Sequence, residues 1–135
     1  TVFFQVFQLL FSVPFAVLRN LLNVANNPVG LDATIAWYGF GLMVYAVFDV
    51  VFFTTFYKSG YRVGKAFILA ALPMAILMAA AESTAHIPTL AWMDSSQSEC
   101  LLMQLPILLL GITCYGVLVP IAYRISAKRF EAVDL

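Results

Sequence analysis

Charge is the scarcest property of this chain. Of its 135 residues only 10% are charged, seven basic against seven acidic, while 63% are hydrophobic. A soluble domain carries roughly 25% charged residues, so this composition excludes an ordinary water-facing surface. Histidine occurs once and cysteine twice, with none of the spacings that hold structural metals. Cys100 and Cys114 fall on one predicted helix, about 21 Å apart along its axis. A disulfide needs Cα atoms within about 7 Å, so they cannot pair within one straight helix. There is no Gly-rich phosphate loop, no Ser/His/Asp set, no HExxH pattern and no basic stripe of the kind that tracks nucleic acid. A stand-alone enzyme, a metal or other cofactor site and a nucleic-acid partner are therefore not expected.

What is abundant is apolar sequence. At about 20 residues per crossing, 135 residues leave room for four spans and little else. The fold class expected is all-α: a polytopic membrane protein, one transmembrane domain over residues 1–135, with spans at about 2–22, 33–57, 66–83 and 101–123. In the first span Phe3, Phe7, Leu10 and Phe11 recur at helical spacing. Gln5, Gln8 and Ser12 should face other helices rather than lipid, Pro14 should kink the helix, and Arg19 can snorkel to the interface. The loop at 23–32 carries turn formers, with Asp32 a candidate N-cap for the second span.

The second span has Trp37 and Tyr38 near its start and Tyr57 at its end, an aromatic belt at both faces. Gly39 and Gly41 allow close packing there. In the third, Ala71, Ala75, Ala79 and Ser83 form a small-residue ridge that would let a second helix approach. Pro106, Gly111, Gly116 and Pro120 punctuate the fourth. The chain opens at Thr1 directly into an apolar run, so further residues are expected before it.

Orientation follows from the turn at 57–66. Lys58, Arg62 and Lys65 sit there among Tyr57, Gly60, Tyr61 and Gly64. Every other Lys or Arg except Arg19 lies in the tail, as Arg124, Lys128 and Arg129. Cytoplasmic loops collect Lys and Arg. The loop 58–65 and the tail 124–135 are thus expected on the cytoplasmic side of a cell membrane, and the loops 23–32 and 84–100 outside.

Three residues are candidates for chemistry. Asp49 is the one carboxylate well inside the second span, and an intramembrane carboxylate is functional by default. It could equally form a structural ion pair with Lys58, Arg62 or Lys65. Glu82 and His86 lie one turn apart on a shared helix face. They are read first as an interfacial pair capping the helix end, then as a proton or substrate relay, and last as part of a metal site, for which two ligands are too few. Glu82 lies about 24 Å along its span and Asp49 about 12 Å inside its own, so the two belong to different leaflets.

The stretches 52–67 (FFTTFYKSGYRVGKAF) and 26–41 (NNPVGLDATIAWYGFG) resemble the small bacterial permease subunits of ABC-2-type exporters. The matching pieces are Tyr57-Lys58-Ser59-Gly60, Gly64-Lys65 and the tail Ser126 to Phe130. The resemblance implies the last four spans of a six-span permease with cytoplasmic ends. It also implies an external connection at 84–100 with short re-entrant helices, and a separate cytoplasmic ATPase as partner. Lys58, Arg62 and Lys65 would then contact that ATPase or lipid headgroups, and Asp49, Glu82 and His86 would border the substrate path of a homo- or hetero-dimer. The first two spans and the first cytoplasmic coupling loop, where the ATPase of such permeases mainly docks, have no counterpart in these residues. A non-transporting four-helix accessory or assembly protein is the rival expectation. A small proton-coupled exporter is a third, disfavoured because the first span holds no carboxylate.

Overall fold

The computed structural model describes residues 1–21 and 33–133, and over these the chain is an all-α membrane protein. Its helices are α1 (Val2–Leu21), α2 (Ile35–Lys58), α3 (Val63–His86) and α4 (Ser98–Val133), with a short 3-10 turn at Ala91–Asp94. Three of them, α2, α3 and α4, are long and apolar enough to cross a membrane, and α1 is a fourth, shorter apolar helix. The loop expected at 23–32 lies outside the described residues, as do Asp32 and the Arg19 side chain.

The helix starts and stops have local causes. Thr34 caps α2, its hydroxyl accepting from the Trp37 N–H at 3.2 Å, so the N-cap is Thr34 rather than the Asp32 expected from sequence. α2 ends where Gly60 and Tyr61 both take positive φ, at 65° and 64°. Glycine adopts that conformation freely, whereas a side-chain-bearing residue is strained by about 1–2 kcal/mol. Tyr61 is held there by its ring against Phe56 and Tyr57, at centroid distances of 5.4 and 5.8 Å. This tight reversal lets α3 begin at Val63, ahead of the span predicted from Ala66.

α2 is the central helix, packed most extensively on α4 and next on α3. Its approach to α4 is backbone to backbone. A Cβ on Gly39 would sit 2.5 Å from the Ile107 carbonyl oxygen, and one on Gly111 would run into the Gly39 carbonyl. Gly41 meets nothing within 4 Å among the described residues, so only one of the two expected glycines serves packing. The buried apolar residues are mostly small as well: Ala36, Ala46, Ala66, Ala70 and Ala122, with Val44 beside them. Small residues let membrane helices gain dispersion contacts where lipid offers no hydrophobic advantage.

The Ala ridge predicted on α3 is not part of this interior. Ala75, Ala79 and Ser83 are exposed and Ala71 is half-buried, while α3 packs through Ala66 and Ala70. On α1, Phe3, Phe7, Phe11 and Phe15 stack along an outward face. Pro14, Pro73, Pro106 and Pro120 all lie inside helices that continue past them.

α4 is the outlier in length. Its 36 residues span about 54 Å, well beyond a hydrocarbon core of about 30 Å. The expected tail is therefore the last turns of this helix. Arg129 there donates to the Thr54 carbonyl, and the Phe130 ring lies 6.1 Å from that of Tyr57. Hence the end of α2, the start of α3 and the end of α4 meet at one end of the bundle, and all six clustered basic residues (Lys58, Arg62, Lys65, Arg124, Lys128 and Arg129) belong to it.

Candidate functional site

Asp49 occupies the interior of α2, about 14 Å from the Lys58 end. Its side chain is fully buried, at 0% exposure. The Gln5 amide donates to Asp49 Oδ1 at 3.1 Å. The other face of the same amide accepts from the Tyr115 hydroxyl at 3.0 Å. One glutamine on α1 thus bridges a carboxylate on α2 and a phenol on α4. Asp49 Oδ2 is buried with no hydrogen-bond partner among the described residues. Among the described residues no lysine or arginine pairs with the carboxylate, and the Lys58, Arg62 and Lys65 considered from sequence are exposed at the turn.

Two further contacts continue this line away from the basic end. Tyr45 donates to Gln8 Oε1 at 3.2 Å. Ser12 Oγ donates to the Leu9 carbonyl at 2.8 Å and lies 3.2 Å from the Tyr38 hydroxyl. Positions 5, 8 and 12 on α1 therefore pair in antiparallel order with 49, 45 and 38 on α2. α1 approaches α2 less closely than α3 and α4 do, and a seam of side-chain hydrogen bonds joins it to the bundle. Beyond the seam an open groove of about 760 Å³ separates α1 from the start of α2, with Gln8, Ser12 and Tyr38 in an otherwise apolar wall.

A second polar cluster closes the opposite end. Gln104 is also 0% exposed. Its Oε1 accepts from the Ala36 N–H at 3.1 Å, and its Nε2 donates to the Trp92 and Ser95 carbonyls at 2.8 and 2.9 Å. Thr34 Oγ1 adds a bond to the Met93 carbonyl at 3.1 Å. Together they clamp the 3-10 turn onto α2 and α4. Gln104 was not among the residues singled out from sequence. The available signal was one polar residue inside the apolar run 101–110.

Glu82 and His86 are placed apart from these clusters. Both are exposed on α3, and neither side chain has a hydrogen bond or ion pair with another described residue. The end of α3 is closed by the Ile87 N–H on the Thr84 carbonyl instead, so the pair does not cap the helix. Glu82 borders a groove of about 240 Å³ together with Tyr45 and Met78. Of the residues lining that groove, Tyr45 also belongs to the seam, through its bond to Gln8. Among the described residues no group of three or more His, Cys, Asp or Glu could hold a metal ion, and both cysteines are free. Lys58, Arg62 and Lys65 are exposed at the turn, with Arg124 and Lys128 exposed on the adjacent end of α4.

No known family model, characterised protein or solved structure matches this chain.

Proposed function

We propose that this chain is the transmembrane, path-forming part of an ABC-2-type export permease that couples to a separate cytoplasmic ATPase. The observation that carries this reading is the division of labour along the bundle. One end gathers the basic residues of a turn and of a helix long enough to project past the bilayer. The interior holds a buried carboxylate in a polar seam between loosely and tightly packed helices. The basic end faces the cytoplasm of the cell under this reading, in keeping with the bias of Lys and Arg toward that side. Lys58, Arg62 and Lys65 then meet the ATPase, and the tail helix stands beside it.

The substrate path runs beside α1 along Gln5, Asp49 and Tyr115. Detaching α1 requires breaking a few hydrogen bonds rather than a packed backbone contact, so α1 is the helix that moves when the nucleotide-hydrolysing partner closes. The test is co-purification of the tagged native protein from its own membranes in mild detergent. A stoichiometric ATPase supports the permease reading, and recovery with an unrelated membrane partner refutes it. The second reading, a non-transporting assembly protein, draws on the exposed ridge of Ala75, Ala79 and Ser83, which a helix of another chain could cover.

A further inference from the structure

The groove of about 240 Å³ between α2 and α3 lies toward the end of the bundle away from the basic cluster. Trp37, Gly41 and Tyr45 line it from α2, and Met74, Met78 and Glu82 from α3. Each trio recurs every four residues, so each helix presents one continuous face to the groove. Gly41 supplies part of the room. A Cβ there would meet nothing within 4 Å among the described residues, unlike one on Gly39, so its missing side chain opens space instead of a helix crossing.

Glu82 is the one charged side chain among these lining residues. It is exposed, and no described residue supplies its counter-charge. His86, one turn further on, does not line the groove and forms no ion pair with it. A carboxylate on the wall of an otherwise apolar groove calls for a cation. The walls suit a soft one. Trp37 is 54% exposed, and an open indole face attracts cations. The Met74 and Met78 thioethers are polarizable and adapt to irregular shapes.

Acceptors are few, because the Tyr45 hydroxyl is already engaged with Gln8. A cation bearing several N–H groups would find the carboxylate and leave its other donors unmet, at a cost. A quaternary ammonium has no donor to strand. Drug-sized ligands occupy about 300–1,000 Å³, so the occupant is smaller than these. We propose that this groove binds a small quaternary ammonium ion, its charge beside Glu82 and its apolar groups against Trp37, Tyr45 and the two methionines. A phosphatidylcholine headgroup carries the same cation but would bring its phosphate toward the Glu82 carboxylate, so the free ion is the occupant. The proposal depends neither on transport nor on an ATPase partner.

The test titrates benzyltrimethylammonium into the whole chain in dodecylmaltoside, with methyl-labelled methionine read by NMR. The Met74 and Met78 signals should shift and saturate, while that of Met103, exposed on α4, stays in place. Neopentylbenzene, the uncharged isostere, should bind about tenfold more weakly, and Glu82→Gln should impose a similar loss on the cation alone. Glu99→Gln, at an exposed carboxylate outside the groove, should change nothing. Trp37→Leu keeps an apolar wall without the ring face and should weaken binding about two- to fivefold. Gly41→Leu, which fills the groove, should abolish the shifts. Glu82 and Trp37 are exposed, so their variants stay informative if Gly41→Leu fails to fold. Equal binding of the uncharged isostere, indifference to Glu82→Gln, or displacement of the cation by dihexanoylphosphatidylcholine would each overturn the proposal.

Discussion

Gln5 and Asp49 are 44 positions apart in sequence, and a 3.1 Å hydrogen bond joins them inside the membrane-spanning region. The bond fixes both the register of α1 on α2 and the orientation of the only fully buried carboxylate among the described residues. Because Asp49 Oδ2 is already without a partner among the described residues, Oδ1 cannot lose its donor cheaply.

Replacing Gln5 by Leu should therefore destabilise the protein by about 1–3 kcal/mol, the cost of stranding a buried acceptor. Asp49→Asn removes the charge but keeps an acceptor for Gln5, so it should fold normally and fail in export if the path runs here. Gln5→Leu with Asp49→Leu should recover much of the lost stability, since neither polar group is then left bare. A double-mutant cycle of Gln5→Leu, Asp49→Leu and the pair, on unfolding in mixed micelles, reads the coupling, and an export assay reads Asp49→Asn. Additive single effects would show that the two side chains do not interact.

The Gly39–Gly111 crossing is expected to be the least tolerant point of the interior. Gly39→Ala or Gly111→Ala places a methyl against facing backbone, and overpacking of that kind costs about 1–3 kcal/mol. Gly41→Ala and Gly116→Ala are the controls, because a Cβ at either position meets nothing within 4 Å among the described residues. Thermal denaturation of the four variants in one detergent should separate them into two pairs. Equal losses at all four positions would contradict the crossing.

Gln104→Leu should release the far end of the bundle. It leaves the Ala36 N–H and the Trp92 and Ser95 carbonyls without the amide that serves all three, and each stranded backbone group costs about 1–3 kcal/mol unless water reaches it. Hydrogen exchange should rise across 87–97 while the Asp49 seam stays protected. Unchanged exchange in that segment would mean that Gln104 is not what holds it.

These variants also show what could and could not be read from sequence. Membrane character, helix number and the clustering of charge were legible because they depend on composition and segment length. Asp49 stood out as a carboxylate among apolar residues, and Gln5, Gln8 and Ser12 could be assigned to a helix-facing side for the same reason. Packing faces were not legible. Lipid is as apolar as the protein interior, so an alanine ridge reads alike whether it is buried, as at Ala66 and Ala70, or exposed, as at Ala75 and Ala79. Nor did the tail show its helix, since Arg124 to Phe130 reads equally as a polar end. The length of α4 became plain only with Arg129 against Thr54 and Phe130 against Tyr57.

Sidedness has a direct check. A cysteine introduced by Ser59→Cys, in the turn beside Lys58, should resist a membrane-impermeant thiol reagent applied to intact cells and react once the membrane is opened. Native Cys100 and Cys114 are half-buried, and Cys100→Ala with Cys114→Ala provides the background. Labelling from outside would invert the orientation and remove the basic end from any cytoplasmic partner.

The most direct measurement places a photo-crosslinking residue at position 65, in place of Lys65, and irradiates native membranes. If the chain is a permease, the main adduct is a nucleotide-hydrolysing ATPase, and the same probe in place of Leu102, on an exposed and uncharged part of α4, does not capture it. Adducts only with lipid, or with a membrane protein unrelated to any ATPase, would contradict coupling at this turn and leave the assembly protein as the better description.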